Sequence, residues 1–193
     1  IPNIFSYPFD VTDLAAINEN LDKIKTDVGS IDILVNNAGI QHREPLSQLD
    51  ILNWEKVIQT NLTAPFLMAQ AVSADMIAQN AGKIINICSI TSELGRENIA
   101  PYVSSKGGLK MLTKVMAVEW AKHNVLVNCV SPGFTLTKLT ASTNTKEELK
   151  IIQNTIPQNR LALPEEIAKC VLFLSSDLNS YITEDFSNAL KKA

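Results

Sequence analysis

Three short apolar runs, rich in isoleucine and valine, constrain the fold of this chain more than any other feature of its sequence. They lie at residues 31–35, 83–88 and 125–130, and residues 4–7 form a weaker candidate. The runs do not alternate with polar residues, which is typical of parallel strands that are covered on both faces. We therefore expect a parallel sheet of buried strands.

Long helical patterns separate the runs. They span residues 12–27, 53–79, 102–123 and 164–175. Gly29 follows the first pattern and Pro164 opens the last, as the ends of helices prefer. Strands that alternate with helices predict βαβ crossovers, and hence an α/β fold with a doubly wound, Rossmann-like parallel sheet.

Residues 141–154 form the most polar stretch of the chain. We expect a mobile excursion with a short helix there, since such segments are a usual place for a substrate lid. A plain solvated helix and loop fits the same composition.

The composition is that of an ordinary globular protein, with 46% hydrophobic and 19% charged residues. The 193 residues suit one domain, residues 1–193. A formal charge of −3 without a basic block argues against a nucleic-acid partner. No apolar window is long enough to predict a membrane span.

Cysteine and histidine are few and scattered. Cys88 and Cys129 lie in apolar runs, so we interpret them as buried free thiols of a reducing, cytoplasmic compartment. Neither the cysteines nor His42 and His123 show metal-ligand spacing, so no metal site is expected.

The strongest chemical signal is Tyr102-Val-Ser-Ser-Lys106, preceded by Ser89 at the end of a strand run. Side chains four residues apart lie on the same face of a helix. A neighbouring ammonium would lower the pKa of a phenol, and the Ser89 hydroxyl could hold a substrate oxygen. Alone, this pattern fits a core tyrosine and a surface lysine equally well.

Further motifs accompany it in a fixed order. Asn36-Asn-Ala-Gly39 follows the first run, Asn61 lies in the second helical pattern, and Ser131-Pro-Gly133 follows the third run. Over residues 5–178 this set resembles the short-chain dehydrogenase/reductase family. The resemblance implies an oxidoreductase that moves hydride between a nicotinamide cofactor, NAD or NADP, and a small-molecule alcohol or ketone.

The resemblance also implies catalytic roles. Tyr102 is the expected acid and base, Lys106 lowers its pKa and binds the nicotinamide ribose, and Ser89 orients the reacting oxygen. Asn61 would support a water that links Lys106 to solvent, although an asparagine there can also serve a local backbone carbonyl.

The remaining cofactor contacts are carried over by position. Asp10 and Val11 match the segment that touches the adenine. The wall beside the ribose and the nicotinamide side match Asn37, Ala38, Gly39, Pro132, Gly133, Thr135 and Thr137. The family's helices at 53–79 and 102–123 pack between subunits, so the intact protein is expected to be a homo-oligomer, either a dimer or a tetramer.

The family pattern is incomplete in this sequence. The glycine-rich turn that cradles the pyrophosphate is absent, together with the first βαβ unit and the last strand. We therefore expect a fragment, or a gene product that lost its ends, with strongly reduced cofactor affinity and an unpaired edge at 31–35, either left open or approached by residues 4–7. Residues 182–193 are expected to form a short helix or loose tail.

Two stretches suggest the substrate. Residues 41–44 and 85–97 look like those of gluconate 5-dehydrogenases within the family. A guanidinium at Arg43 could grip a sugar-acid carboxylate bidentately, or it could pair with Glu44, Glu93 or Glu97. Arg96 is expected to form a surface or interface salt bridge.

Two other functions remain open at this point. One is a different family member, such as a 3-oxoacyl-thioester reductase. The other is a truncated, non-catalytic chain that only pairs with intact subunits.

Overall fold

The computed structural model describes residues 4–183, which form an α/β fold around a parallel sheet with the strand order β1-β2-β3. The strands are β1 Ile33–Asn36, β2 Gly82–Ile87 and β3 Val125–Val130. The helices are α1 Leu14–Asp27, α2 Ile51–Ile58, α3 Ala64–Gln79, α4 Ala100–Trp120, α5 Lys138–Thr143, α6 Lys146–Thr155 and α7 Pro164–Ser175.

The three predicted strands are confirmed to within two residues at each end. Within residues 4–183, β1 pairs only with β2, and Ile33 and Val35 are 47% and 40% exposed along this edge. Residues 4–7 form no strand. The expected open edge is therefore present, because no strand lies on the free side of β1.

Helices cover both faces of the sheet, as a doubly wound fold requires. Leu34 and Ile84 point toward α1, α3 and α4 and join a core that contains Ile17 and Met76. The alternate side chains of β1 and β2 point to the other face, where α7 packs on β2 and β3. Among the helices of the described part of the chain, none has both the length and the hydrophobicity that crossing a membrane requires.

The helical pattern at 53–79 is not one continuous α-helix, as the sequence had suggested. A π-helical turn, Gln59–Thr63, joins α2 to α3. Such turns insert one extra residue per turn and are frequent at functional sites. Here the turn contains Asn61, a predicted site residue. Asn80 caps the C-terminal end of helix α3 in the left-handed conformation, at φ 51°.

A buried chain of polar side chains connects the strands to α4. The Asn36 amide donates to Asn86 Oδ1 at 2.9 Å, and the Asn86 amide donates to Thr113 Oγ1 at 2.9 Å. Asn86 is fully buried, so these bonds replace water for groups that would otherwise be costly to bury. The chain fixes α4 relative to the carboxyl ends of β1 and β2.

The end of the described chain runs beside β3. Asn128 Nδ2 donates to the Ile182 carbonyl at 2.7 Å, and the Val127 amide donates to Thr183 Oγ1 at 3.0 Å. The rest of the expected tail, residues 184–193, lies outside the described residues.

Close packing at the start of β2 predicts a stability effect. A Cβ on Gly82 would lie 2.6 Å from Met76 Sδ and 2.8 Å from Met76 Cβ, whereas one on Gly95 would meet nothing within 4 Å. Because Met76 is fully buried and its Cβ cannot be moved by a change of rotamer, Gly82→Ala should lower the free energy of unfolding by about 1–3 kcal/mol. Urea unfolding followed by circular dichroism measures this, with Gly95→Ala as the control. Equal stability of the two variants would contradict the described packing.

Candidate active site

The predicted chemical residues converge where the strands end. Ser89 follows β2 by two residues, Pro132 follows β3 by two, and Tyr102 and Lys106 lie on the first turns of α4. All four line one cavity of about 900 Å³. This edge is where doubly wound folds bind their ligands, because loops after neighbouring parallel strands meet there.

Ser89 is held by its own turn. Its backbone is extended, and its Oγ accepts hydrogen bonds from the Thr91 amide at 3.2 Å and from Thr91 Oγ1 at 2.9 Å. Since the Ser89 oxygen accepts both bonds, its hydrogen can be donated to the Tyr102 oxygen or to a substrate oxygen in the cavity. Ser89 can therefore orient a carbonyl or hydroxyl oxygen.

Burial dominates the electrostatics of Tyr102 and Lys106. The Lys106 ammonium lies 5.8 Å from the Tyr102 ring centroid, is 4% exposed, and donates to the Ile87 carbonyl at 2.5 Å. Burial lowers the pKa of Lys106. Burial also raises the pKa of Tyr102, while the neighbouring Ser89 hydroxyl acts in the opposite direction. Burial thus outweighs the groups that lower the Tyr102 pKa, and the lowering of this pKa by Lys106 stays a prediction.

Asn61 serves the backbone of the loop after β1. Its Nδ2 donates to the Ile40 carbonyl at 2.8 Å, its Oδ1 accepts from the Ile40 amide at 2.8 Å, and Nδ2 also lies 3.1 Å from Ser105 Oγ. These hydrogen bonds match the second possibility considered for Asn61 in the sequence, in which its side chain serves local backbone groups. A Cβ on Gly39 would lie 3.4 Å from Asn61 Oδ1 and 3.7 Å from Lys106 Nζ, so the three residues are close together. A part for Asn61 in proton transfer stays a prediction.

Most of the predicted cofactor residues share the large cavity, and three do not. Its walls include Asn37, Gly39, Pro132, Gly133, Thr135 and Thr137. Val11 and Ala38 instead line a neighbouring cavity of about 80 Å³. The exposed Asp10 accepts from the Thr12 amide at 2.8 Å and from Thr12 Oγ1 at 2.7 Å, and these bonds lower its pKa.

The large cavity fits one half of a nicotinamide dinucleotide. The Lys106 ammonium beside Gly39 can meet ribose hydroxyls, and the loop at 132–137 offers backbone and threonine hydroxyls to the ring. The amino-acid sequence contains no glycine-rich turn that could bind the pyrophosphate. The residues present therefore suit the nicotinamide and its ribose, and they provide no phosphate cradle.

A second cavity, of about 350 Å³, shares Ser89 and Tyr102 with the first. Its outer wall includes Leu139 and Thr140 of α5 and Ile152 of α6. The polar stretch predicted as an excursion is thus the pair α5 and α6, and it closes one side of this cavity. Small-molecule sites begin at about this volume.

Arg43 contacts this helix pair. Its Nη1 donates to the Thr143 carbonyl at 2.6 Å and lies 3.3 Å from Asn144 Oδ1 and 3.8 Å from Glu148 Oε1. Arg43 does not pair with Glu44, Glu93 or Glu97, the three carboxylates considered in the sequence. Glu44 contacts His42, and Glu93 contacts Lys110. The acidic residue near Arg43 is Glu148 of α6. Arg43 therefore joins the loop after β1 to the outer wall of the second cavity.

Arg96 lines the second cavity, a position that the sequence analysis did not assign to it. Its Cζ lies 5.0 Å from the Phe134 ring centroid. Burial and then the charge of Arg43 lower the pKa of Arg96, with Glu148 and Glu97 acting in the opposite direction. The sequence feature that could have indicated this position of Arg96 is Phe134, an aromatic residue directly after the Pro132-Gly133 motif.

Comparisons with known proteins agree with this geometry. The family model described as enoyl-(acyl carrier protein) reductase matches residues 2–185. The chain is 43% identical over 176 residues to 5-keto-D-gluconate 5-reductase of Escherichia coli K12, covering 91% of this chain and 69% of that protein. It is 44% identical over 169 residues to a 3-oxoacyl-[acyl-carrier-protein] reductase of Aquifex aeolicus, covering 87% and 67%.

A solved structure is also similar. It is a gluconate 5-dehydrogenase from Burkholderia cenocepacia J2315 in complex with NADP and tartrate, with a TM-score of 0.87 and 36% identity over 96% of this chain and 74% of that one. The fold and the comparisons together define a Rossmann-type, nicotinamide-dependent oxidoreductase. The chain belongs to the short-chain dehydrogenase/reductase family.

The buried ammonium predicts a pH-dependent stability difference. Because burial lowers the pKa of Lys106 below its ordinary 10.5, the folded state is penalised while the amine is charged, and the penalty disappears as pH rises above that value. Lys106→Met should therefore raise the free energy of unfolding at pH 7 by on the order of 1 kcal/mol. The gain should shrink toward pH 10.5.

Urea unfolding at several pH values measures this difference, and Lys122→Met, at an exposed lysine, is the matched control. A gain for Lys106→Met that is constant with pH would show that the buried charge is not its cause.

Proposed function

We propose that this chain carries the catalytic part of an NAD(P)-dependent dehydrogenase that interconverts a secondary alcohol and a ketone in a sugar acid, of the gluconate and 5-ketogluconate type. The observation that carries the proposal is one small cavity that joins Ser89 and Tyr102 to an arginine-bearing wall. The relatives named above that act on 5-ketogluconate and gluconate support it.

Each residue of the site has a part in the reaction. A bound nicotinamide supplies or accepts the hydride. Ser89 donates its hydrogen to the reacting oxygen, and Tyr102 gives the proton to that oxygen during reduction or removes it during oxidation. The phenolate left by reduction lies beside the Lys106 ammonium, which stabilises it. Asn61 holds the loop at Ile40 and Gly39 against this ammonium.

The pKa of Tyr102 determines which protonation state is available for reduction and for oxidation. Because burial raises this pKa, the phenol is protonated at neutral pH and is ready to donate. Reduction of a ketone can therefore start from the protonated phenol, whereas oxidation needs the phenolate and should be faster at higher pH.

The positive charge of the cavity supports an acidic substrate. Arg43 and Arg96 are close enough for the charge of one to lower the pKa of the other. The Arg96 guanidinium in the cavity wall attracts a carboxylate, the nearby charge of Arg43 adds to this attraction, and Glu148 beside Arg43 offsets part of it. Arg43 contributes to this field, and its own contacts are to the wall formed by α5 and α6.

A 3-oxoacyl-thioester reductase is the second candidate, favoured by the Aquifex aeolicus relative. The uncharged acyl chain of such a substrate would gain nothing from two guanidiniums. The structure therefore suits the sugar acid better.

The proposed reaction predicts a large effect of one hydroxyl group. Tyr102→Phe should lower kcat for reduction of 5-ketogluconate by at least about 100-fold, because general acid catalysis is lost while the ring still packs. Tyr181→Phe, at a tyrosine that is 85% exposed, should leave kcat unchanged. The assay follows nicotinamide absorbance with NADPH and with NADH at high concentration.

A 3-oxoacyl thioester is tested in the same assay. Turnover of the thioester without turnover of the sugar acid would establish the second candidate. No turnover of either substrate by the folded chain would support a non-catalytic, subunit-pairing protein.

A further inference from the structure

We propose that Arg96 is the specificity-determining residue that binds the carboxylate of the substrate and so selects sugar acids over neutral polyols. This inference rests on the proposed function. It assigns the main carboxylate contact to Arg96 rather than to Arg43.

The position of Arg96 is set by the strand ends that carry the reaction. It follows Ser89 by seven residues, and its guanidinium stacks on Phe134, directly after Gly133. Ser89, Tyr102, Phe134 and Arg96 all line the 350 Å³ cavity. Arg96 and Ser89 therefore share the loop after β2, Phe134 lies on the loop after β3, and Tyr102 faces the same cavity from α4.

The stacking orients the guanidinium for recognition. An aromatic ring covers the flat face of an arginine and leaves the N–H groups at its edge free to bind a carboxylate through two parallel bonds. Phe134 also replaces water on that face. A lysine cannot reproduce this geometry, because its ammonium is a point charge.

Arg96 and Arg43 differ in what they already bind. Arg43 donates to the Thr143 carbonyl at 2.6 Å, so part of its donor set is used within the protein. Within residues 4–183, the guanidinium of Arg96 has no hydrogen-bond acceptor, and its ring contact is to Phe134. A half-buried cation that faces Arg43 and lacks an acceptor gains from an incoming carboxylate.

The other charged groups near Arg96 do not serve as its hydrogen-bond acceptor. Glu97 and Glu148 act on Arg96 through their charge alone: Glu97 is exposed, and the half-buried Glu148 lies 3.8 Å from Arg43 Nη1. The carboxylate that completes the site therefore comes from the substrate. Anchoring that end of a six-carbon acid also selects which hydroxyl carbon reaches Ser89 and Tyr102.

Calorimetric titration tests the inference without relying on turnover. Gluconate and the neutral polyol sorbitol are titrated into the chain, with and without NADP, for the unmodified protein and for Arg96→Gln, Arg96→Lys and Arg43→Gln. Arg96→Gln should weaken gluconate binding by about 10- to 100-fold and leave sorbitol unchanged. Arg96→Lys should recover only part of the loss. Arg43→Gln should weaken both ligands by a similar, smaller factor, because it loosens the wall at Thr143.

The possible outcomes distinguish a failure of the role assigned to Arg96 from a failure of the proposed substrate class. If gluconate binds the unmodified chain and loses affinity in Arg43→Gln but not in Arg96→Gln, Arg96 is not the carboxylate ligand and the proposed function stands. If Arg96→Gln weakens gluconate and sorbitol equally, the effect is structural and the inference is overturned. If the unmodified chain binds neither gluconate nor 5-ketogluconate, the proposed substrate class fails, and the role of Arg96 fails with it. Circular dichroism confirms that each variant is folded.

Discussion

The pairing of β2 with a parallel strand on each side is the constraint on which the rest of the structure depends. Asn86 is in register with Asn36 on β1 and with Cys129 on β3, so the three strands end in one row. The ladder continues past the strands, since the Cys88 amide donates to the Val130 carbonyl at 2.8 Å and the Ile90 amide donates to the Pro132 carbonyl at 3.1 Å. Backbone bonds thus hold the Ser89 loop against the Pro132 loop before any ligand arrives.

The ionisable groups of the site are partly or fully buried, and burial shifts the pKa of each of them. Lys106 has one backbone acceptor at Ile87, Tyr102 keeps its proton more tightly than a free phenol, and Arg96 has its face covered by Phe134. Charges in such surroundings are more costly and interact more strongly than in water. An anionic substrate would relieve the cost at Arg96, so the site favours binding an acid.

The sequence predicted the elements and the chemical centre because both depend on local patterns. Uninterrupted isoleucine and valine runs identify buried parallel strands, and the Tyr102–Lys106 spacing places both side chains on one helix face. The π-helical turn at Gln59–Thr63 has no such signature. The pKa direction of Tyr102 depends on burial, and the partners of Arg43 and Arg96 lie about 100 and 38 residues away along the chain. Contacts of that separation follow from the assembled fold and not from spacing.

The most direct test of the central claim, that these strand ends perform hydride transfer on a sugar acid, is isotope transfer. NADPH carrying two deuterium atoms at C4 of the nicotinamide is incubated with 5-ketogluconate and the chain, and the product is analysed by mass spectrometry and NMR. The account predicts gluconate with one deuterium, bonded to C5. Product without deuterium, or deuterium at another carbon, would contradict it.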